Sequence, residues 1–233
     1  MFFLRIIKIN GIIHLKDILN GQVTVINKEK DIENLMLYNG NIATTEMLRK
    51  IGIKDYEISR LTNNCIKRVG RGIYKCFFTN DEEINNLDYI LAVVPKAIFC
   101  MKTALRFYKY IQEVEYEIAV PRSLAPSKRS VPNTDVRYYY IKDKFHEIGK
   151  TMVMLGNRIP IYDRERTIFD CFKRHTEFSY EELKSITEKY LADPEKNLEK
   201  LNEYVDLMSL SVAARKKMKA MGLPIRRISP QKK

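Results

Sequence analysis

IATTEMLRKIGIKDYEISRLTNNCIKRVGRGIY, residues 42–74, is the stretch whose pattern decides the fold. Thr44 precedes a short helical run, its hydroxyl suited to an orphan helix amide. Glu46 lies in the first turn, where the helix dipole favours an acid. Met47, Leu48 and Ile51 form one apolar face, and Gly52 ends the run. Ile53 bridges to a further helix over residues 55–64, with Ile58, Leu61, Thr62 and Cys65 on one side. Residues 66–69 and 73–78 alternate as two strands joined at Gly70-Arg71-Gly72, where Gly72 permits the turn and Tyr74 packs underneath. Upstream, Ile32, Leu35 and Met36 predict a helix over residues 30–38, stopped by Gly40.

Helix, short helix, Gly turn, helix and hairpin is the layout of a winged helix-turn-helix. Two helices brace the third, whose outward residues can reach base edges in a major groove. That outward set is Tyr56, Glu57, Ser59, Arg60, Asn63 and Asn64; Asn and Arg suit base-edge readout. Lys67, Arg68, Arg71 and Lys75 decorate the hairpin, where phosphate contact is expected. Between residues 54 and 75 there are six basic residues against two acidic ones, a local excess that suits an anionic partner. The same module also serves some proteins as a protein-binding or dimerising unit, so the layout alone leaves both uses open.

Further along, apolar spacing predicts helices over residues 84–94 and 97–110, separated by Pro95. Strands follow over 116–120, 136–141, 151–155 and 158–162, and residues 121–132 (PRSLAPSKRSVP) read as an exposed basic loop. From Asp163 the chain is mostly helical: Asp163 caps residues 164–174, Ser179 and Glu182 form a capping box, Pro194 opens the next helix, and residues 212–221 form the last one before Gly222. The fold class expected is α+β. Residues 1–26 form an N-terminal extension and 27–79 the winged helix. Residues 80–222 form an α+β domain with a helical C-terminal part, and 223–233 a basic tail.

The 233 residues carry 41 Lys+Arg against 29 Asp+Glu, a net charge of +12. The excess sits around the winged helix and, more densely, after Ala214, where eight basic residues meet no acid; the block 163–206 between them is slightly acidic. That division favours DNA over a uniformly solvated surface, and no window of ~20 apolar residues would span a bilayer. Cys65, Cys76, Cys100 and Cys171 and the three His show no metal-ligand spacing, so no metal, no cofactor and free buried thiols in a reducing cytoplasm are expected. Asp135, Glu147, Asp163 and Glu165 are carboxylates of the type a Mg²⁺ nuclease uses, without its spacing, and no catalytic motif stands out. Arg166 and Asp170 read as an i,i+4 pair.

Several segments resemble one family in order and at compatible spacing, from about Glu33 to Met221: the winged-helix stretch with its RVGRGIY wing, AIFCMKTAL at 97–105, YEIAVPR at 116–122 and IPIYDRERTIFDC at 159–171. The chain resembles the AbiEi antitoxins of type IV toxin–antitoxin (abortive infection) systems. Lys54 and Asn64 depart from that pattern, which often has a Ser-like cap and a Gly there; Asp55 is expected to take over the capping. The resemblance implies a DNA-binding repressor of its own operon, acting on operator inverted repeats with two copies on DNA, whether monomer or dimer. It also implies a nucleotidyltransferase-like toxin as functional partner, without a required stable complex. A winged-helix-targeted nuclease and a ligand-sensing transcriptional regulator are the alternative readings.

Overall fold

The computed structural model of the chain describes residues 23–62, 65–76, 86–113, 115–124, 131, 134–155 and 157–226. It is a mixed α+β protein of two compact units, residues 1–84 and 85–233.

In the first unit, α1 (Val23–Tyr38) leads through Gly40 and Asn41, both at positive φ, into β1 (Ile42–Thr44). Then come α2 (Thr45–Lys50), α3 (Asp55–Leu61), β2 (Ile66–Gly70) and β3 (Ile73–Cys76). The helix predicted over 30–38 begins earlier, at Val23, so the expected extension loses its last four residues to it. The strands pair antiparallel in the order β1-β3-β2. The short strand β1 was not expected; three residues are too few to show a period. The apolar periodicity holds: Ile32 and Met36 of α1, Ala43, Leu48, Ile53, Ile58, Ile66 and Tyr74 close one core. Leu48 is fully buried, a contribution on the order of 1.5–3 kcal/mol. Gly52, at φ 85°, makes the turn between α2 and α3.

The second unit begins with α4 (Asn86–Val93), β4 (Ile98–Phe99) and α5 (Met101–Phe107), followed by β5 (Tyr116–Pro121), β6 (Val136–Ile141) and α6 (Asp143–His146). It continues through β7 (Lys150–Leu155), β8 (Asn157–Tyr162), α7 (Arg164–Lys173), α8 (Tyr180–Ala192), α9 (Leu198–Leu207) and α10 (Val212–Ala220). The sheet order is β6-β5-β4-β8-β7, with β5/β6 and β4/β8 parallel and the other pairs antiparallel. The helix expected over 97–110 is wrong at its start: Ile98 and Phe99 form the central strand, and the helix follows Cys100. A short run buried on both faces satisfies helix and strand patterns equally, so periodicity could not separate them.

The caps hold where local chemistry sets them. Asp163 accepts from the Arg166 amide at 2.7 Å and Ser179 from the Glu182 amide at 3.1 Å. Pro194 does not open a helix; it sits in a turn, and Asn197 caps α9 by accepting from the Lys200 amide. Residues 223–226 are not a tail. Leu223 and Ile225 are buried in the helical core, and the Arg226 amide donates to Asn202. Arg215 likewise points inward, donating to the Val205 and Leu210 carbonyls and to Asp206.

Arg166 is the polar centre of this unit. Fully buried, it donates to Asp170 at 2.9 Å and to the carbonyls of Phe145 and Ile148 at 2.8 and 2.6 Å, with its guanidinium 4.3 Å from the centre of the Tyr162 ring. Burial pushes the Asp170 carboxyl up against the pull of Arg166. Arg166→Ala leaves Asp170 buried without that partner and is expected to cost ~3–5 kcal/mol, read as a fall in the urea midpoint of the full chain.

Candidate nucleic-acid interface

The interface is built on α2, α3 and the β2–β3 hairpin. Thr44 caps α2, its hydroxyl accepting from the Met47 amide at 3.2 Å. At α3 the expected capping by Asp55 does not occur: its carboxylate takes two bonds of 2.8 Å from Arg49, across the turn. That guanidinium holds Asp55 below the usual carboxylate range. The N-terminus of α3 is served instead by Glu57, which accepts from the Lys54 amide at 2.8 Å. Glu57 is therefore half-buried and tied to the backbone rather than part of an open reading face.

The outward face of α3 carries Tyr56, Ser59 and Arg60, all exposed, while Ile58 points into the core. The Ser59 hydroxyl folds back to the Asp55 carbonyl at 3.3 Å. Tyr56 is a large aromatic left 59% exposed, although the core of the unit is closed. Asn63 and Asn64 lie outside the described residues.

Hairpin register divides the expected basic set. Lys67 pairs with Lys75 and Arg68 with Tyr74. Since strand side chains alternate, Lys67 and Lys75 share one face of the sheet and Arg68 takes the other. Arg68 meets Arg49, Asp55, Ser59, Thr62, Thr45 and Tyr74 around one open cleft of about 420 Å³. Its Nε donates to the Gly70 carbonyl at 3.1 Å, which holds the guanidinium along the hairpin. Lys75 is half-buried, whereas Lys67 and Arg71 are exposed.

The hairpin tip is latched to α2. The Thr45 amide donates to the Gly72 carbonyl at 2.8 Å, and the Thr45 hydroxyl reaches it at 3.4 Å. Gly72 sits at φ 71°, with the Thr45 hydroxyl 3.1 Å from where a Cβ would stand. Arg71 is thereby presented at the tip, beside the start of α2. Sequence reading missed Arg49 and Thr45 as members of this surface. Their only signal was position, on a short helix just before the Gly52 turn.

Elsewhere, three of the four carboxylates named as nuclease candidates are occupied, and Asp135 stands exposed. Asp163, besides capping α7, accepts from the Tyr204 hydroxyl and pairs with Lys200, both at 2.8 Å. Glu165 accepts from the Asn197 amide and the Tyr190 hydroxyl, and Glu147 pairs with Lys150. Among the described residues no three His, Cys, Asp or Glu are grouped as a metal site would require. No described helix is long and apolar enough to cross a membrane.

No protein-family model matches this chain, and no curated protein does. Among solved structures, it is similar to the RV2827C protein from Mycobacterium tuberculosis, 14% identical, with a TM-score of 0.51 over 82% of this chain and 74% of that one. The likeness is one of fold alone.

Gly72→Ala places a Cβ at positive φ against the Thr45 hydroxyl. It is expected to cost on the order of 1–2 kcal/mol, seen as a lower unfolding midpoint for the first unit. Restoring room with Thr45→Ala in the same chain should recover only part of it, because the backbone strain stays.

Proposed function

We propose that the chain is a cytoplasmic DNA-binding antitoxin of the AbiEi kind, which represses its own operon and counteracts a nucleotidyltransferase-like toxin. The observation that carries the DNA-binding part is the joint surface of α3 and the hairpin. Tyr56, Ser59 and Arg60 stand exposed on α3, Arg68 lines a cleft with Ser59, and Arg71 stands at the latched tip.

The element order of the first unit supports a winged helix, with α3 as the groove-entering helix and the hairpin as the wing. Its charge supports an anionic partner: residues 44–76 hold eight Lys and Arg against three Asp and Glu. Two of the three acids, Asp55 and Glu57, are engaged by Arg49 and the Lys54 amide. Base contacts from Arg60 would supply sequence preference, and Arg71 would supply phosphate attraction. Two copies, as monomers or as a dimer, would occupy paired inverted repeats. The antitoxin part rests on the colinear motifs between residues 33 and 221. The structural occupation of Asp163 and Glu165 weighs against the nuclease alternative.

The test is an electrophoretic shift with DNA from upstream of the protein's own gene, against random competitor across a salt series. A specific shift is expected; no shift at low salt, or equal affinity for random DNA, overturns the reading. Arg60→Ala should weaken the specific complex by ~1–3 kcal/mol and relax sequence preference. Arg71→Ala should weaken all sequences alike and lower the salt slope by about one. The antitoxin part is read separately: co-expression should restore growth to cells making the toxin encoded beside it.

A further inference from the structure

The second unit holds a buried arrangement of oxygens that needs one more hydrogen than its ordinary ionisation provides. Tyr139 on β6 places its hydroxyl 2.8 Å from Glu117 Oε1 and 2.9 Å from Glu177 Oε2. Glu117, on β5, is 1% exposed; Glu177 closes the short 3-10 turn His175–Glu177 between α7 and α8. Two oxygen–oxygen contacts of this length need two hydrogens, and the phenol brings one. The second must be a carboxyl proton.

The surroundings say which carboxyl carries it. Glu177 is gripped by two guanidiniums, Arg137 and Arg174, each at 3.1 Å. Both guanidiniums also lie against the Tyr139 ring, at 5.3 and 4.4 Å from its centre. Glu117 has weaker support. Arg137 stands 3.6 Å away, beyond a hydrogen bond, and the Lys102 amide donates to the other oxygen, Oε2, at 2.6 Å. Among the remaining described neighbours the one cation, the Lys102 ammonium, acts on Glu117 only through space and is hydrogen-bonded elsewhere. Lys102 Nζ is taken by Glu115, the Thr103 hydroxyl donates to the Glu115 carbonyl, and the Cys100 and Cys171 thiols are buried and neutral.

We propose that Glu117 is a carboxylic acid in the folded protein, donating to Tyr139, which in turn donates to the Glu177 carboxylate. Its ionisation would release the clasp that joins β6 to the α7–α8 turn. Without the proton, two carboxylates share one hydroxyl hydrogen, and one of them faces a lone pair. The more exposed Glu177 is the one free to leave, taking its links to Arg137 with it. Burial raises the proton affinity of Glu117, against the pull of the Lys102 amide and the Tyr139 hydroxyl. Burial and the nearby Glu117 likewise hold Tyr139 in its neutral form.

The pH dependence follows from the direction. The folded state binds this proton more tightly than the unfolded chain. The stability so contributed is complete below the unfolded glutamate value of ~4.3 and is lost as pH rises through the raised folded value. Glu117→Gln keeps both hydrogen bonds without a titrating group: its amide NH₂ donates to Tyr139, and its carbonyl accepts from Lys102. The experiment is infrared difference spectroscopy of the full chain, wild type against Glu117→Gln, from about pH 5 to about pH 9, with urea midpoints over the same range. Expected is a protonated-carboxyl carbonyl band in wild type that Glu117→Gln removes. The band should fade with rising pH together with a loss of wild-type stability that the variant escapes. Absence of such a band throughout overturns the proposal. So does a Glu117→Gln protein that is destabilised equally at every pH.

Discussion

The buried Arg166 guanidinium is the interaction on which the second unit depends. It ties α7 to Asp170 one turn on and to the carbonyls of Phe145 and Ile148, while stacking on Tyr162 at the end of β8. A charge this deep is tolerable only when its donors are matched, since an unmatched one is strongly destabilising. The match constrains its neighbours. Gly149, at φ 79°, lies so close that a Cβ there would stand 2.5 Å from the Arg166 Cβ. Asp163 must turn its carboxylate to the helix start, where Tyr204 and Lys200 of α9 then reach it. One side chain thus organises the approach of sheet, connection and two helices.

The first unit depends on a smaller device of the same kind. The Thr45–Gly72 latch makes the hairpin and α2 one surface, and the Arg49–Asp55 pair spans the turn from α2 to α3. The exposed ion pair contributes little stability by itself, because solvent screens it. Its consequence is electrostatic: it neutralises an acid at the start of the helix proposed to meet DNA. The cleft beside it is then left to Arg68, Ser59 and Thr62. The two basic residues of α2, Arg49 and Lys50, are paired with Asp55 and Glu46, while Arg60 on α3 and the basic residues of the hairpin lie outside those pairs.

Much of this was legible beforehand. Thr44, Asp163 and Ser179 act as caps because a short oxygen side chain next to a helix start has few other uses. Strands β6, β7 and β8 fall where alternation and turn residues put them. Errors came where a local signal had two solutions. Ile98 and Phe99 sit in an apolar run that fits either a buried strand or a helix. Asp55 looked like a cap and became a salt-bridge partner. Arg215 looked like part of the basic excess after Ala214 and became an internal donor. Of the candidate DNA-contacting residues, Tyr56, Ser59, Arg60 and Arg71 were placed as expected on exposed positions, but Lys67 and Lys75 fall on the sheet face opposite Arg68.

The sequence by itself determined the α+β class, the alternation of helix and hairpin in the first unit, the caps, the location of the basic excess and the i,i+4 pairing of Arg166 with Asp170. All of these follow from spacing within a few residues, where chain geometry leaves little choice. Only the tertiary structure decided which charges are spent inside the fold and which remain available. Arg215, Glu117, Asp163 and Glu165 are charged residues like any others in the chain. Their roles arise from backbone carbonyls, hydroxyls and amides brought from ten to more than forty positions away. No local pattern encodes such meetings, because they depend on how strands and helices close over one another.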